Sequence, residues 1–360
     1  MSRLAPEVPD EGAQWAEQDT TPSHVEEALR HLLQEQYARD GAHAPARVLN
    51  LVVVVDREWR GEIMNRLEGV GRYHASRTIV CAVEPGRETI DASVAMTVDG
   101  DARPGEPVLM RERVLLDVGE KHLAKLETIV DPLVVTDLPT LVWSPHGHAE
   151  AVDALLRLSQ IVLIDSVNEP DPVSALRRAK ELAEGAYVVD LAWLRTTPWR
   201  ERVASTFDPP RWRAELSRID SVTVRHHAVS GVAGILFCGW LASKLGWGEG
   251  TLVPVNGSVR GRAKGPRDEV TLVLEADPEQ DVPGLAGIEI GTSSGMAIAL
   301  DRGPGGLVAR RRDAKGNEQS WTVLGASRGE GGILGEGVRQ ALLRDPTYGP
   351  ALSAARVMAA

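Results

Sequence analysis

Val48-Leu-Asn-Leu-Val-Val-Val-Val55 is an unbroken apolar run dominated by β-branched residues. It is too short for a buried helix and has no polar alternation, so it reads as a strand covered on both faces, as strands are in a mostly parallel sheet. Downstream, residues 57–67 suit a helix and Thr78 to Val83 suit a second buried strand. The runs 90–98 and 108–118 alternate instead, and are expected as antiparallel additions that make the sheet mixed. Upstream, Ser23 is placed to cap a helix to about residue 38, with Glu26 at the capping-box position and Val25, Leu29, Leu32 and Leu33 on one face.

Beyond residue 120 the alternation of helix and strand continues through apolar runs at 141–143, 161–164 and 187–190, with helical stretches at 121–130, 149–157, 172–183 and 197–205. This is the pattern of a three-layer α/β domain. Phe207-Asp-Pro-Pro210 breaks it, because tandem prolines remove donors and restrict the residues before them. After the break come a strand at 219–227, a helix at 232–245 and a series of short strands between glycine-rich turns, closed by a helix at 333–343. The expectation is an N-terminal α/β domain over 23–206 with a mixed sheet, then an α+β domain over 207–345 with an antiparallel sheet. Residues 1–22 are expected as a flexible acidic arm and 346–360 as a tail.

At 360 residues the chain exceeds the roughly 250–300 at which one core stops growing, so two domains are expected. A hydrophobic content of 43% and a charged content of 25% are those of a folded globular protein. The formal charge of −11 argues against nucleic acid as a partner, since phosphate binding needs a dense basic surface. The most apolar stretch, 231–247, is short for a bilayer and carries Lys244, so no membrane role is expected. No secretory signal is read at the N-terminus, and Cys81 and Cys238 match neither a disulfide framework nor a metal site. Together these suit a reducing cytoplasm.

Several short patterns invite a chemical reading. Gly291-Thr-Ser-Ser-Gly295 matches a nucleophile elbow, but a strand rather than a helix follows it and no histidine occurs after His227, so a tight turn is the better account. His146, His148, His226 and His227 lack a convergent third ligand for zinc. The loop carrying Ser144, His146 and His148 follows a strand end, where α/β proteins bind ligands, and supports an alternative reading as a sugar-phosphate enzyme or sensor, with Arg77 or a basic loop as anchors. Glycines at 329–337 have neither dinucleotide nor Walker spacing, and no cofactor is called for. Arg260, Arg262, Lys264 and Arg267 form a basic hairpin or loop on an acidic protein, suited to an acidic partner surface. Arg310, Arg311 and Arg312 are a weaker candidate. Nine tryptophans against two phenylalanines are unusual, and those at 143, 193, 199 and 212 accompany arginine and proline, the company of interface anchors or of core residues that join elements.

The segment Asp190-Leu-Ala-Trp-Leu-Arg-Thr-Thr-Pro-Trp-Arg-Glu-Arg202, followed by Phe207-Asp-Pro-Pro210, resembles the signature of the OpcA family of glucose-6-phosphate dehydrogenase assembly proteins. Arg47-Val-Leu-Asn-Leu, Ser76-Arg-Thr-Ile-Val80 and Asp137-Leu-Pro-Thr-Leu-Val-Trp-Ser-Pro145 are similar to its other recurring stretches, in the same order. The resemblance implies a cytoplasmic, non-catalytic factor that promotes assembly or allosteric activation of glucose-6-phosphate dehydrogenase in the oxidative pentose phosphate pathway. It carries over no catalytic residues. Photosynthetic members are associated with redox control, which would want accessible thiols; Cys81 and Cys238 sit in apolar runs. Arg195, Trp199, Arg200 and Arg202 are the expected partner contacts, with Arg260 and Arg262 second.

Overall fold

A computed structural model describes residues 13–39, 47–71, 75–98, 110–324 and 330–360. The chain forms two compact units, Met1–Ile164 with Gly185–Val189, and Asp165–Glu184 with Asp190–Ala360.

The first unit carries strands β1 (Ala13–Glu17), β2 (Leu49–Asp56), β3 (Ser76–Val83), β4 (Asp91–Val98), β5 (Met110–Val118), β6 (Thr140–Trp143), β7 (Ile161–Ile164) and β8 (Tyr187–Asp190). They form one sheet in the order β1-β4-β5-β3-β2-β6-β7-β8. The pairs from β5 through β3, β2 and β6 to β7 are parallel, while β4 pairs antiparallel with both β1 and β5. The sheet is therefore mixed, as its sequence implies, although β5 runs parallel to β3. Leu49 to Val55 are all buried, the double-sided burial that a continuous apolar run requires. Asn50 is the polar exception: its amide donates to Val135 O at 3.0 Å and accepts from Val135 N at 2.9 Å, tying the approach to β6 onto β2.

Helices α1 (Pro22–Arg39), α2 (Arg60–Gly71), α3 (Leu126–Val130) and α4 (Ala149–Leu155) accompany this sheet. The α1 helix begins before the expected Ser23 cap. Pro22 takes the first helical position, where a missing N–H costs nothing, and the Thr21 hydroxyl accepts from His24 N at 3.4 Å. The expected arm is also partly ordered, because β1 forms five cross-strand pairs with β4 from Ala13↔Met96 to Glu17↔Ala92.

The second unit begins with α5 (Pro172–Gly185), α6 (Leu191–Arg195), α7 (Thr197–Phe207) and α8 (Pro210–Arg213). The units thus divide at Asp165 and Asp190 rather than near Phe207. The break at Pro209-Pro210 ends a helix, but α6 and α7 already pack with the C-terminal elements, and packing rather than punctuation sets a domain boundary.

Strands β9 (Ile219–His227), β10 (Gly250–Val255), β11 (Ser258–Lys264), β12 (Glu269–Asp277), β13 (Leu285–Thr292), β14 (Ala297–Gly303), β15 (Gly306–Arg312) and β16 (Glu318–Leu324) build the second sheet. Its order is β10-β11-β12-β9-β13-β14-β15-β16. It is antiparallel except for one pair, since β12 runs parallel to β9. Helix α9 (Gly231–Leu245) leaves β9, and β12 returns beside β9 only after the β10–β11 hairpin, which is the crossover that a parallel pair requires.

Eleven residues of α9 from Val232 to Ala242 are buried, as expected for a helix covered on several sides. Gly234 faces the sheet, where a Cβ would lie 2.9 Å from Leu274 Cδ2. Gly239 faces another helix. The expected C-terminal tail is in fact α11 (Tyr348–Ala359), which follows α10 (Glu330–Leu343) and packs Ala351 and Ala355 against α9. Tyr348, Ala351, Leu352, Ala355 and Met358 are buried at helical spacing, so apolar periodicity at 348–358 carries this element.

Candidate functional site

Residues 190–202 fold as the end of β8, the short helix α6 and the first half of α7, and the polar side chains of Asp190, Arg195, Thr196 and Arg200 are buried. Asp190 caps α6, accepting from Ala192 N at 3.0 Å. It also accepts from Ser166 N at 3.1 Å, Ser166 Oγ at 2.7 Å and the Tyr348 hydroxyl at 3.2 Å. Burial, reinforced by the Asp165 charge, pushes the Asp190 carboxyl up to about 6 despite these donors. Arg195 grips Asp165 through two parallel hydrogen bonds of 2.8 Å, the fork geometry of a guanidinium on a carboxylate.

One helical turn on, the Arg200 guanidinium lies over the Trp193 ring at 3.5 Å and donates to the Thr196 and Thr197 hydroxyls at 2.9 Å. Burial lowers its pKa to about 10, which leaves it charged at neutral pH. Trp193 Nε1 donates to Asp345 Oδ2 at 2.9 Å. Burial alone would raise the Asp345 carboxyl, but hydrogen bonds from Thr347 and Trp193, with Arg200 nearby, hold it below its ordinary value. Trp199 is 1% exposed, with the Arg302 guanidinium 5.8 Å from its ring centroid.

The expected contact residues therefore separate into three groups. Arg195, Trp199 and Arg200 are buried and engaged within the second unit, so they are not presented to a partner. Their residue types serve interface and core equally, and carboxylates distant in sequence, Asp165 and Asp345, draw them inward. Arg202 is half-buried, with its Nε buried and lacking a hydrogen-bond partner. Arg260 and Arg262 are exposed. They lie on β11, an arm of the β10–β11 hairpin that is also paired with β12, so of the expected hairpin or loop the structure has the hairpin. Sequence reading missed Asp165, Asp190, Asp345 and Tyr348, because nothing local marks residues so far apart as neighbours.

The strand-end loop is organised differently. Ser144 Oγ donates to Val54 O at 3.1 Å, His148 Nε2 lies 3.0 Å from Asp56 Oδ1, and the exposed His146 ring sits 5.4 Å from that of Trp59. His148 adopts φ +54° after Gly147 at φ +108°, a sharp turn at the carboxyl ends of β2 and β6. The proposed phosphate anchor Arg77 is elsewhere. It sits at the start of β3, donating to Glu112 at 2.7 Å and to Leu133 O at 2.8 Å. The nearer cations, Arg57 and Arg60, are paired with Glu84 and with Asp117. This arrangement provides no phosphate cradle.

Gly291 and Thr292 end β13, and Ser293 to Gly295 lie in the turn to β14, with Gly295 at φ +88° and Ser294 Oγ donating to Glu215 at 2.6 Å. Cys81 and Cys238 are fully buried, which pushes both thiols up to about 12. Among the described residues no group of three or more His, Cys, Asp or Glu side chains is arranged to hold a metal ion. Among the same residues no helix is long and apolar enough to cross a membrane.

Two family descriptions match adjoining parts of the chain: the glucose-6-phosphate dehydrogenase subunit N-terminal domain over residues 68–181 and the corresponding C-terminal domain over 186–352. The chain belongs to the OpcA family. The family's C-terminal description thus takes in the whole buried network from Asp190 to Asp345 except Asp165 and Ser166. The OxPP cycle protein OpcA of Nostoc punctiforme is 30% identical over 164 residues, which are 44% of this chain and 35% of that protein. Its counterpart in Synechococcus elongatus is 24% identical over 199 residues, 54% of this chain and 44% of the relative. The match spans less than half the length of these curated relatives.

Among solved structures, the super-repressor mutant of Gal80p from Saccharomyces cerevisiae aligns with a TM-score of 0.49 at 10% identity, covering 87% of this chain and 94% of that one. The apo scyllo-inositol dehydrogenase of Lactobacillus casei aligns at 0.43 and 11%, covering 88% and 96%. Likeness at this level carries no functional weight.

Proposed function

We propose that this chain is an accessory protein of the oxidative pentose phosphate pathway that binds glucose-6-phosphate dehydrogenase and favours its active, assembled form, with no chemistry of its own. The observation that carries this reading is the match of both family descriptions, each worded as part of a subunit of that dehydrogenase, over most of the chain. The side-chain arrangement is compatible with it. Arg195 and Arg200 spend their hydrogen-bonding capacity within the second unit, as scaffold residues do, and Arg260 and Arg262 remain exposed for contact. A cytoplasmic location accords with buried, unpaired thiols.

The mechanism is linkage. A protein that binds the active oligomer more tightly than the inactive form shifts the population by the ratio of the two affinities, and equal affinity shifts nothing. In a titration of purified dehydrogenase with the full chain, the expected result is a saturable rise in activity together with a change in sedimentation. Activity and oligomer size both unchanged at saturating ratios would overturn the reading. So would turnover of a metabolite by this chain alone that a single side-chain replacement abolishes.

A further inference from the structure

Buried and exposed residues alternate along the strands of the second sheet. On β9, Val222, Val224 and His226 face inward, and on β12 Leu272 and Leu274 do the same, on the side that α9 covers. The opposite face is open. Followed from strand to strand, its register places Arg260 and Arg310 in one row across the sheet and Arg262 and Arg312 in the next. All four arginines are exposed. The two columns are five strand spacings apart, about 24 Å.

Between the columns the same two rows hold small or β-branched side chains, from Thr271 and Val273 on β12 to Ala297 and Ala299 on β14, with the exposed Glu289 at the centre and Arg225, paired with Asp277 and Asp301, one row on. At Gly291 the Ser221 hydroxyl occupies the space of a side chain, 2.4 Å from where a Cβ would lie. A sheet face that only meets solvent has no need of such a flat middle, and long polar side chains cover it better. Small residues permit another surface to approach closely.

The occupant can be chosen by charge. A second copy docking face to face requires a two-fold axis lying in the plane of the interface. An axis along the strands sets β11 against β15, and one across them sets each strand against itself. Both of these arrangements lay arginine column on arginine column, which disfavours a second copy docked squarely on this face. The face instead fits a different protein that carries carboxylates in two strips about 24 Å apart. Seven spacings by a strand of seven residues give about 34 by 23 Å, close to the ~800 Å² per partner of a standard interface. Two of the arginines already have carboxylate partners. The Arg262–Glu269 pair, at 2.9 Å, leaves both side chains more than half exposed, and such pairs exchange at little cost, whereas Arg310 pairs with the less exposed Asp301, which also holds Arg225.

We propose that this open face, with Arg260 and Arg262 on one flank and Arg310 and Arg312 on the other, is the docking surface for the dehydrogenase. The assignment rests on the accessory reading above. The test measures binding of purified dehydrogenase to the full chain by titration calorimetry, using R260E/R262E, R310E/R312E and, as a surface control on α5, E181K. Thermal melts confirm that each variant is folded, and the milder R260Q/R262Q and R310Q/R312Q pairs replace any reversal that is not. Each double reversal is expected to weaken binding by roughly tenfold or more while the control binds as the parent does. If the parent binds and both reversals bind equally well, the face assignment is overturned and the accessory reading stands. If the parent does not bind at all, both fall. A parent homodimer that the reversals dissolve would place a second copy on this face and overturn the assignment.

Discussion

Asp190 is a carboxylate held where water does not reach, and its donors only partly compensate. Burial lifts its pKa from 3.8 to about 6 in the folded chain. An acid whose folded value is raised favours folding most strongly below its unfolded value, and that advantage is lost as pH rises through the folded value. The difference of about two units corresponds to about 3 kcal/mol at most. Asp190→Asn removes the titration while keeping one acceptor oxygen. Thermal or urea denaturation from pH 4 to pH 8 is expected to show the variant gaining on the parent as pH rises, most steeply around pH 5, midway between the two values. A stability difference independent of pH would refute the assignment. The residue identities at this site were legible in the sequence, and their orientation was not. The Trp193, Arg195, Trp199 and Arg200 side chains suit an interface as well as a core, and the choice was made by Asp165 and Asp345, whose proximity only the fold reveals.

The contact between α9 and α11 separates two kinds of glycine. At Gly239 a Cβ would come within 2.4 Å of the Ala351 carbonyl oxygen and 2.8 Å of the Ala355 Cβ, so two helices meet there at backbone distance. At Gly335, in α10, a Cβ would meet nothing within 4 Å. Gly239→Ala is therefore expected to destabilise by about 1–3 kcal/mol through overpacking, and Gly335→Ala to stabilise by up to about 1 kcal/mol through helix propensity. Urea denaturation of both variants checks the pair, and the same sign for both would contradict the packing described. Strands such as β2 and β7 were legible because a continuous run of β-branched residues has one stable use, the middle of a covered sheet. The β1 strand was not, since it is short and gains its stability from a distant partner, β4; α11 does carry apolar periodicity, but what it packs on, α9, lies far away in sequence. The parallel pairing of β12 with β9 was hidden for a related reason: alternation reports which face is buried, not which neighbour a strand takes.

At the scale of the whole molecule, the path of the chain couples the two units. It leaves the first unit after Ile164, runs through α5 in the second, returns for β8 and leaves again at Asp190. Asp190 is both the last residue of β8 and the cap of α6, so a single residue ends a strand of the first sheet and starts a helix of the second unit. Cooperative rather than independent unfolding is the expected outcome. The two cysteines report on this separately, because Cys81 lies on β3 of the first unit and Cys238 on α9 of the second. Both thiols are buried and raised to about 12, so neither reacts with a maleimide while its own unit is folded. In Cys81→Ser and Cys238→Ser variants, each with one remaining thiol, labelling against urea concentration is expected to give coincident midpoints once each variant's own stability is allowed for. Midpoints separated by roughly 1 M or more, several kcal/mol at the slopes usual for chains of this size, would mean that the units unfold independently and that the shared residue transmits nothing between them.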